Sequence, residues 1–423
     1  MKRLLFAAVL IAMGAHARKS STAAATPVSV INAEDIEQTN WPTLDKVWFK
    51  QNKNSDFVNA LIGTPSAELK LGYEYSDVDN GIPAANALIG RIRLNYQSGV
   101  WKGFDGFVQA QYVGSLVDNY SSSKPPVDYD VVADPEAFRF HQAYLGWTGY
   151  DTKARIGSQE IILDNARFIG NVGWRFNAQS FNAGLIQNQS VENLKLFYSY
   201  IDSINAPDGD TKRTRQYHLV NVQYDLGEEK KNKVSAYSYL QRNDNADNVD
   251  TFGLRSWGKN GKIAHNGMLA FQRDAYYGYL SGALDNESVD FELGGEYISG
   301  GADPKERFQT LNGTAHAFNG WADQFLGTGG GLKHGLVDIW AKVSGQPMDK
   351  MTASAIFHYF NTAKDVDGFS GNYGSEIDAQ LKYAFNEYID TSATIAYHMK
   401  GDNNAENKTN DETVFWLRGA LRF

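Results

Sequence analysis

The chain has 423 residues, with 40 Lys and Arg against 49 Asp and Glu, and its formal net charge is −9 at pH 7. This acidic balance argues against nucleic acid as a partner, because phosphate backbones attract basic surfaces. The sequence contains no cysteine, which excludes a disulfide framework and a thiolate metal site. No motif predicts a cofactor or a metal ion, since the Asp- and Asn-rich stretches at 243–250 and 402–411 lack calcium-loop spacing.

Residues 1–17 have the three parts of a secretory signal peptide. Lys2 and Arg3 supply the positive start, LLFAAVLIAMGA supplies the apolar core, and Ala-His-Ala at 15–17 fits the cleavage site. The apolar run is too short to cross ~30 Å of hydrocarbon as a helix. We therefore expect the chain to be exported and the signal peptide to be cleaved. Residues 18–65 show no strand pattern, and we expect a periplasmic N-terminal segment there, with a small plug as the alternative.

The end of the chain, ETVFWLRGALRF, alternates in a way that indicates a membrane strand. Apolar side chains and one glycine occupy the odd positions from Phe415 to Phe423, and the even positions include Arg418 and Arg422. Because a strand turns successive side chains to opposite faces, one face is apolar and the other is polar. After residue 17 no apolar run is long enough for a spanning helix, so an exported chain that enters a membrane with such strands would do so as a closed barrel.

The same alternation recurs in about eighteen segments of roughly ten to thirteen residues, the length that a tilted spanning strand needs. A soluble sandwich also alternates, but its strands are usually about five or six residues long and its apolar face is buried. Long polar connections near 118–137, 203–214, 300–334, 364–373 and 401–411 alternate with short turns. We therefore predict for residues 66–423 an all-β fold, a transmembrane antiparallel β-barrel of about 18 strands with short periplasmic turns and long extracellular loops.

Two stretches of the sequence resemble the alginate export family of bacterial outer-membrane β-barrel proteins. One is 306–325, ERFQTLNGTAHAFNGWADQF, and the other is 134–183. Within 134–183 the matching motifs are QAYL at 142–145, GSQEI at 157–161, DNARFIG at 164–170 and Trp174–Arg175. The chain departs from the family pattern at Ser158, Phe176, Ala178 and Asn182. These departures weaken the inference that this chain shares a polyanionic substrate with the family.

The resemblance implies a location and a set of partners. It implies a porin-like monomer in the outer membrane of a Gram-negative bacterium, in contact with membrane lipid and lipopolysaccharide. It also implies an aqueous passage for a small hydrophilic solute, an oligosaccharide or a polysaccharide. Fold alone does not fix the solute.

Charged side chains on the inward faces predict the lining of this passage. Most of the basic ones lie on the first, second and last strands, which become neighbours when the barrel closes, and they predict a continuous positive wall. The acidic side chains predict a second wall that faces the positive one. Two facing walls of opposite sign imply weak ion selectivity, or pairing between charges inside the barrel. The basic pore-lining candidates are Lys70, Arg91, Arg93, Arg155, Arg418 and Arg422, and the acidic ones are Glu292, Glu296, Glu376 and Asp378.

The stretch LDNARFIGNVGWRFNAQSFNA, residues 163–183, places two arginines among several aromatic side chains. We predict a strand over 152–163, an outer loop over 164–174 and a return strand over 176–188. Such a loop can fold inward and narrow the passage. The aromatic side chains either stack on sugar rings or anchor at the membrane interface, and anchoring is the favoured interpretation.

Arg167 and Arg175 have two possible roles in this loop. They contact acidic groups of the solute, or they pair with lumen carboxylates such as Glu160 or Asp164; internal pairing is slightly favoured. The long 300–334 connection supplies further constriction candidates, namely His316, Trp321 and Asp323.

The leading functional hypothesis is an outer-membrane channel for passive passage of a hydrophilic solute, such as a sugar acid or a polysaccharide, selected by pore width and lumen charge. One alternative is a surface-binding or adhesion barrel that uses its long loops. The other is a barrel-embedded hydrolase, which is disfavoured because no Gly-x-Ser-x-Gly motif occurs and the histidines are scattered. We therefore expect a protein without enzymatic activity.

Overall fold

A computed structural model describes residues 61–423, apart from 124, 214, 228, 230, 245, 287–288, 327–330, 369–370 and 403–408. The predicted signal peptide and nearly all of the predicted N-terminal segment lie outside the described residues. In the part of the chain that the structure describes, no helix is long and apolar enough to cross a membrane. A single turn of 3-10 helix occurs at Pro304–Glu306.

Strands make up most of the described chain, and all of them belong to one antiparallel sheet. Eighteen of the nineteen are between 8 and 16 residues long, and β8 is a two-residue strand within a loop. The strands are β1 (Thr64–Val78), β2 (Ala85–Gln97), β3 (Phe104–Asn119), β4 (Ala137–Gly149), β5 (Thr152–Gln159), β6 (Ser180–Asn188), β7 (Leu194–Asn205), β8 (Thr211–Lys212), β9 (Arg215–Leu226), β10 (Asn232–Asn243), β11 (Val249–Asn260), β12 (Ile263–Gln272), β13 (Ala275–Leu284), β14 (Val289–Ile298), β15 (Leu336–Met348), β16 (Met351–Asn361), β17 (Asn372–Ala384), β18 (Ile389–Lys400) and β19 (Glu412–Arg422).

The sheet closes because its first and last strands pair. In β1, Gly72 lies opposite Ile89 of β2 on one side and opposite Arg418 of β19 on the other. Every other long strand pairs with its neighbours in the chain, and β7 pairs directly with β9 across the short β8. The prediction of a transmembrane-type antiparallel barrel of about 18 strands is confirmed.

The two faces of the strands differ sharply in chemistry. On β13 the outward Leu280 is 68% exposed, whereas the next residue, Ser281, is 3% exposed. On β14 Leu293 is 69% exposed and Glu296 is 3% exposed. Large apolar side chains therefore cover the outside and ionisable side chains are turned inward, as a lipid-facing barrel requires.

Connection lengths also differ between the two ends of the barrel. The end that carries the start of β1 and the end of β19 has short turns, such as 150–151, 261–262 and 349–350. The opposite end carries the long loops, among them 120–136, 160–179 and 299–335. This asymmetry is the one that the sequence predicts.

The structure corrects the predicted strand bounds around 163–183. β5 ends at Gln159 rather than at 163, and β6 begins at Ser180 rather than at 176. Residues 160–179 leave the barrel wall early because they turn into the lumen, where their backbone finds other hydrogen-bond partners.

Outward and inward positions should respond differently to the same substitution. We expect Leu293→Arg to lower the free energy of unfolding by roughly 2–4 kcal/mol, the cost of a cation on the lipid face near the bilayer centre. Glu292→Arg, one position away and facing the lumen, should cost much less. Urea titration of refolding into lipid vesicles measures both. Equal costs would contradict the assignment of faces.

Candidate functional site

Residues 164–176, the crossing segment, span the lumen. At one end the Asp164 carboxylate accepts hydrogen bonds from Tyr239 Oη (2.7 Å) and Asn221 Nδ2 (2.9 Å), which belong to β10 and β9. At the other end Arg418 of β19 donates to the Trp174 carbonyl oxygen (2.8 Å). β10 and β19 are the ninth and eighteenth of the long strands, so the segment reaches the opposite side of the barrel.

Arg167, in the first half of the crossing segment, is 2% exposed. Its Nε and Nη2 donate to the two carboxylate oxygens of Glu296, at 2.7 and 2.9 Å, and Nη2 also donates to Asn319 Oδ1 at 2.7 Å. Tyr277 Oη donates to the same carboxylate at 2.6 Å. This bidentate geometry is the strongest form of arginine–carboxylate pair.

Arg175 makes a second internal ion pair. Its Nη1 lies 2.9 Å from Glu74 Oε1, and its Nη2 lies 3.3 Å from Asp323 Oδ2. Burial lowers the pKa of Arg175, but the charges of Glu74, Asp134 and Asp323 outweigh it and raise that pKa above its ordinary value. Burial raises the pKa of Asp134, in the 120–136 loop, to about 6, although Arg175 and the Asn177 N–H oppose this shift.

Both arginines therefore pair with lumen carboxylates, but not with the two carboxylates named from the sequence. Asp164 is occupied by hydroxyl and amide donors. Glu160 lies 2.8 Å from His141 Nε2 and accepts a hydrogen bond from Asn171. The actual partners come from distant strands and from another loop.

The aromatic side chains of this stretch pack inside the barrel, so the favoured interpretation of interfacial anchoring is wrong. Phe168 is 1% exposed and its ring lies 5.0 Å from that of Tyr277 and 5.5 Å from that of Phe308. Trp174 stacks on His316 at 3.9 Å, and the Arg418 guanidinium lies 3.9 Å from the Trp174 ring. These contacts fix the crossing segment within the lumen.

Residues 312–325, the tip segment, lie against the crossing segment. Gly170 N–H donates to the Asn312 carbonyl (3.2 Å), and Thr314 N–H donates to the Ala166 carbonyl (2.8 Å). Gln179 Nε2 donates to the Asn312 carbonyl at 2.9 Å. The two long loops therefore form one hydrogen-bonded layer across the barrel.

The structure places the predicted constriction residues in this layer. His316 is 6% exposed, and its Nδ1 lies 2.9 Å from Asp323 Oδ1. The Trp321 ring stacks near His316, with the ring centres 6.4 Å apart. All three side chains belong to the inner layer, as a narrowing of the passage requires.

The predicted basic wall is present but interrupted. Lys70, Arg91, Arg93 and Arg418 are less than a tenth exposed, and Arg422 lies on the same face of β19. However, β1 places Glu68 and Glu74 among them. Arg91 lies 2.6 Å from Glu68, Arg422 lies 3.4 Å from Glu68, and Arg418 lies 3.6 Å from Glu74. The expectation of a continuous positive wall is therefore wrong, because AELKLGYEYS alternates two glutamates onto the same face as Lys70.

The basic residues differ in their surroundings. Arg91 also donates to the Phe176 carbonyl at 3.2 Å, so it holds the crossing segment. Arg93 donates to Gln111 Oε1 at 2.7 Å instead of to a carboxylate. Arg155, on β5, lies over the Tyr144 ring at 4.7 Å. Arg155 is partly exposed on the inward face of β5, whereas Arg93 is 3% exposed.

The acidic wall contains histidines that the sequence reasoning missed. Glu296, Glu376 and Asp378 are at most 3% exposed, and Glu292 is half-buried on the same face of β14. They lie with Asp338, His358 and His398, where His358 Nδ1 is 2.9 Å from Asp338 and His398 Nδ1 is 3.2 Å from Glu376. Strand alternation in VDIW, IFHYF and AYHMK placed these three side chains inward, although they are far apart in the sequence.

Comparison with known proteins supports the fold. No protein-family model matches the sequence, and no curated protein matches it. Solved structures do match: OccAB4 of Acinetobacter baumannii at 14% identity and a TM-score of 0.64, covering 86% of this chain and 100% of that one. OpdQ of Pseudomonas aeruginosa matches at 15% identity and a TM-score of 0.63, covering 86% and 99%. OpdK of the same organism, solved with vanillate, matches at 11% identity and a TM-score of 0.64, covering 86% of this chain and 98% of OpdK.

These neighbours are outer-membrane porins with 18-stranded barrels. The chain therefore has a porin-like barrel fold. At such low identity the likeness concerns the fold, and the solute must be argued from this chain's own lumen.

Loss of the Arg167 pair should loosen the crossing segment. Arg167→Ala leaves Glu296 buried without its counter-charge, and we expect the local stability of residues 160–179 to fall by about 3–5 kcal/mol. Hydrogen exchange in detergent measures this change. Arg213→Ala is the control, because its pair with Asp202 is exposed and 3.9 Å long. Unchanged exchange in 160–179 would mean that the pair does not hold the segment.

Proposed function

We propose that the protein is an outer-membrane channel for passive passage of a small hydrophilic solute. The observation that carries the proposal is a lumen lined with ionisable side chains and narrowed by two inward loops, inside a barrel whose outer surface is apolar. An apolar exterior requires lipid around the barrel. A charged, narrowed interior is how pores select solutes.

The solute class follows from charge and width. Arg155 is partly exposed and faces the lumen from β5, on the side of the barrel opposite Glu292 and Glu296 of β14, so a solute with a carboxylate has a favourable contact there. The crossing segment spans the lumen, which favours a small solute over a wide polymer. A sugar acid meets both conditions. The vanillate in the OpdK structure is likewise a small carboxylate.

Membership of the alginate export family remains part of this proposal. It is supported by the motifs at 142–145, 157–161, 164–170 and 174–175, and by the stretch 306–325. A monomer, exported through cleavage after residue 17 and surrounded by lipid and lipopolysaccharide, accords with this assignment. Membrane fractionation with N-terminal sequencing of the mature protein tests the location and the cleavage site.

The hydrolase alternative is not favoured by the geometry. His316 and Asp323 form a hydrogen-bonded pair, but the imidazole is packed by the rings of Trp174, Trp321 and Trp416. In the described residues His316 Nε2 has no hydrogen-bond partner, so no hydroxyl nucleophile is paired with it. The other alternative, a surface-binding or adhesion barrel, predicts that deletions in the long loops abolish surface binding and leave the conductance of the channel intact.

Reversal of the lumen charge tests the channel directly. In a planar bilayer with a KCl gradient, we expect the purified protein to give ohmic current steps. Arg155→Glu should shift the reversal potential toward cation preference, because this partly exposed side chain faces the lumen. Arg213→Glu, which changes an exposed side chain of a long loop, is the matched control. Absence of current steps under varied conditions would overturn the proposal.

A further inference from the structure

The tip segment rests on carboxylates from three neighbouring strands. Asn319 Nδ2 donates to Glu296 of β14 and, at 3.2 Å, to Asp338 Oδ2 of β15. The Ala322 backbone N–H donates to Glu376 Oε1 of β17 at 2.7 Å. All three carboxylates are at most 3% exposed. We call Glu296, Asp338 and Glu376 the carboxylate anchor.

Each member of the anchor is itself held by the barrel wall. Glu376 uses Oε1 for the tip segment and Oε2 for His398, at 3.2 Å. Asp338 lies 2.9 Å from His358 Nδ1, and Glu296 is held by Arg167 and Tyr277. Glu376 therefore connects the wall with the tip through separate oxygens. In Asp338 a single oxygen, Oδ2, contacts both His358 and the tip, and in Glu296 both oxygens also accept from Arg167 of the crossing segment.

The backbone of the tip is in a conformation that needs such support. Asn319, Gly320 and Asp323 have φ values of 60°, 81° and 59°, in the left-handed region that L side chains rarely adopt. A Cβ atom added at Gly320 would lie 2.5 Å from the Glu376 carboxyl group. Glycine alone allows this approach. Unfavourable backbone conformations of this kind persist where surrounding contacts hold them, and they cluster at functional sites.

We propose that Glu376 and Asp338 are positioning residues that hold the tip segment across the lumen, and that this contact sets the effective width of the passage. The inference rests on the proposed channel function. When a carboxylate of the anchor is removed, the Ala322 N–H or the Asn319 amide loses its acceptor. The tip then relaxes from its left-handed conformation toward the open end of the barrel, and the passage widens.

Single-channel conductance in planar bilayers tests the anchor. We expect Glu376→Ala to raise the conductance step by at least ~1.5-fold, with larger current fluctuations, because a mobile tip blocks less of the passage. Glu376→Gln keeps an oxygen that can accept from the Ala322 N–H, and should stay closer to wild type. Gly320→Ala should resemble Glu376→Ala, since it separates the tip from the same carboxylate.

The matched control is Glu292→Ala. It removes one negative charge from the same wall, but in the described part of the chain Glu292 has no hydrogen bond to the tip segment. Conductance of Glu376→Ala equal to that of wild type or of Glu292→Ala would overturn the anchor and leave the channel proposal intact. Retained heat-modifiable migration on gels identifies folded variants, and Gly320→Ala takes the place of Glu376→Ala if Glu376→Ala does not fold.

Hydrogen exchange separates this inference from the channel proposal. If the wild-type protein gives no current, the proposed function fails, and exchange at the Ala322 amide still tests the anchor. We expect this amide to exchange at least ~10-fold faster in Glu376→Ala than in Glu292→Ala, because its acceptor is lost. Equal protection in the two variants would overturn the positioning role.

Discussion

Closure of the sheet is the constraint on which the rest of this structure depends. In hydrocarbon an unpaired backbone N–H or C=O costs several kcal/mol, so β1 must pair with β19 and leave no edge. Closure fixes which face of each strand meets lipid and which meets the lumen. It also brings Lys70, Arg91 and Arg418 together, although Arg418 is far from the other two in sequence.

The enclosed lumen is then organised by charge. Taking an arginine out of water is costly unless a carboxylate with good geometry receives it. Arg167 and Arg175 meet this condition on opposite halves of the crossing segment. Arg91 and Arg418, on the wall, donate to backbone carbonyls of the same segment. Several charges that could have faced a solute are therefore used to position the inner layer, and the remaining ones define the passage.

This arrangement separates two tasks between the two sides of the barrel. The side formed by β1, β2 and β19 holds one end of the crossing segment and carries the basic residues. The side formed by β14 to β18 carries carboxylates and histidines, and it supports the tip segment through Asn319 and Ala322. Because the two sides make hydrogen bonds to different points of the inner layer, together they favour a single position for it.

The sequence by itself determined the barrel, its strand count, the asymmetry of its two ends and the inward direction of the charged side chains. These properties follow from a two-residue periodicity and from connection lengths, which are local. Only the tertiary structure decided the ion pairs. Sequence proximity suggested Glu160 or Asp164 for the arginines, whereas Arg167 pairs with Glu296, 129 positions away, and Glu68 interrupts the basic wall. Partners across a lumen are set by barrel closure and by the path of inner loops, and no local pattern encodes either.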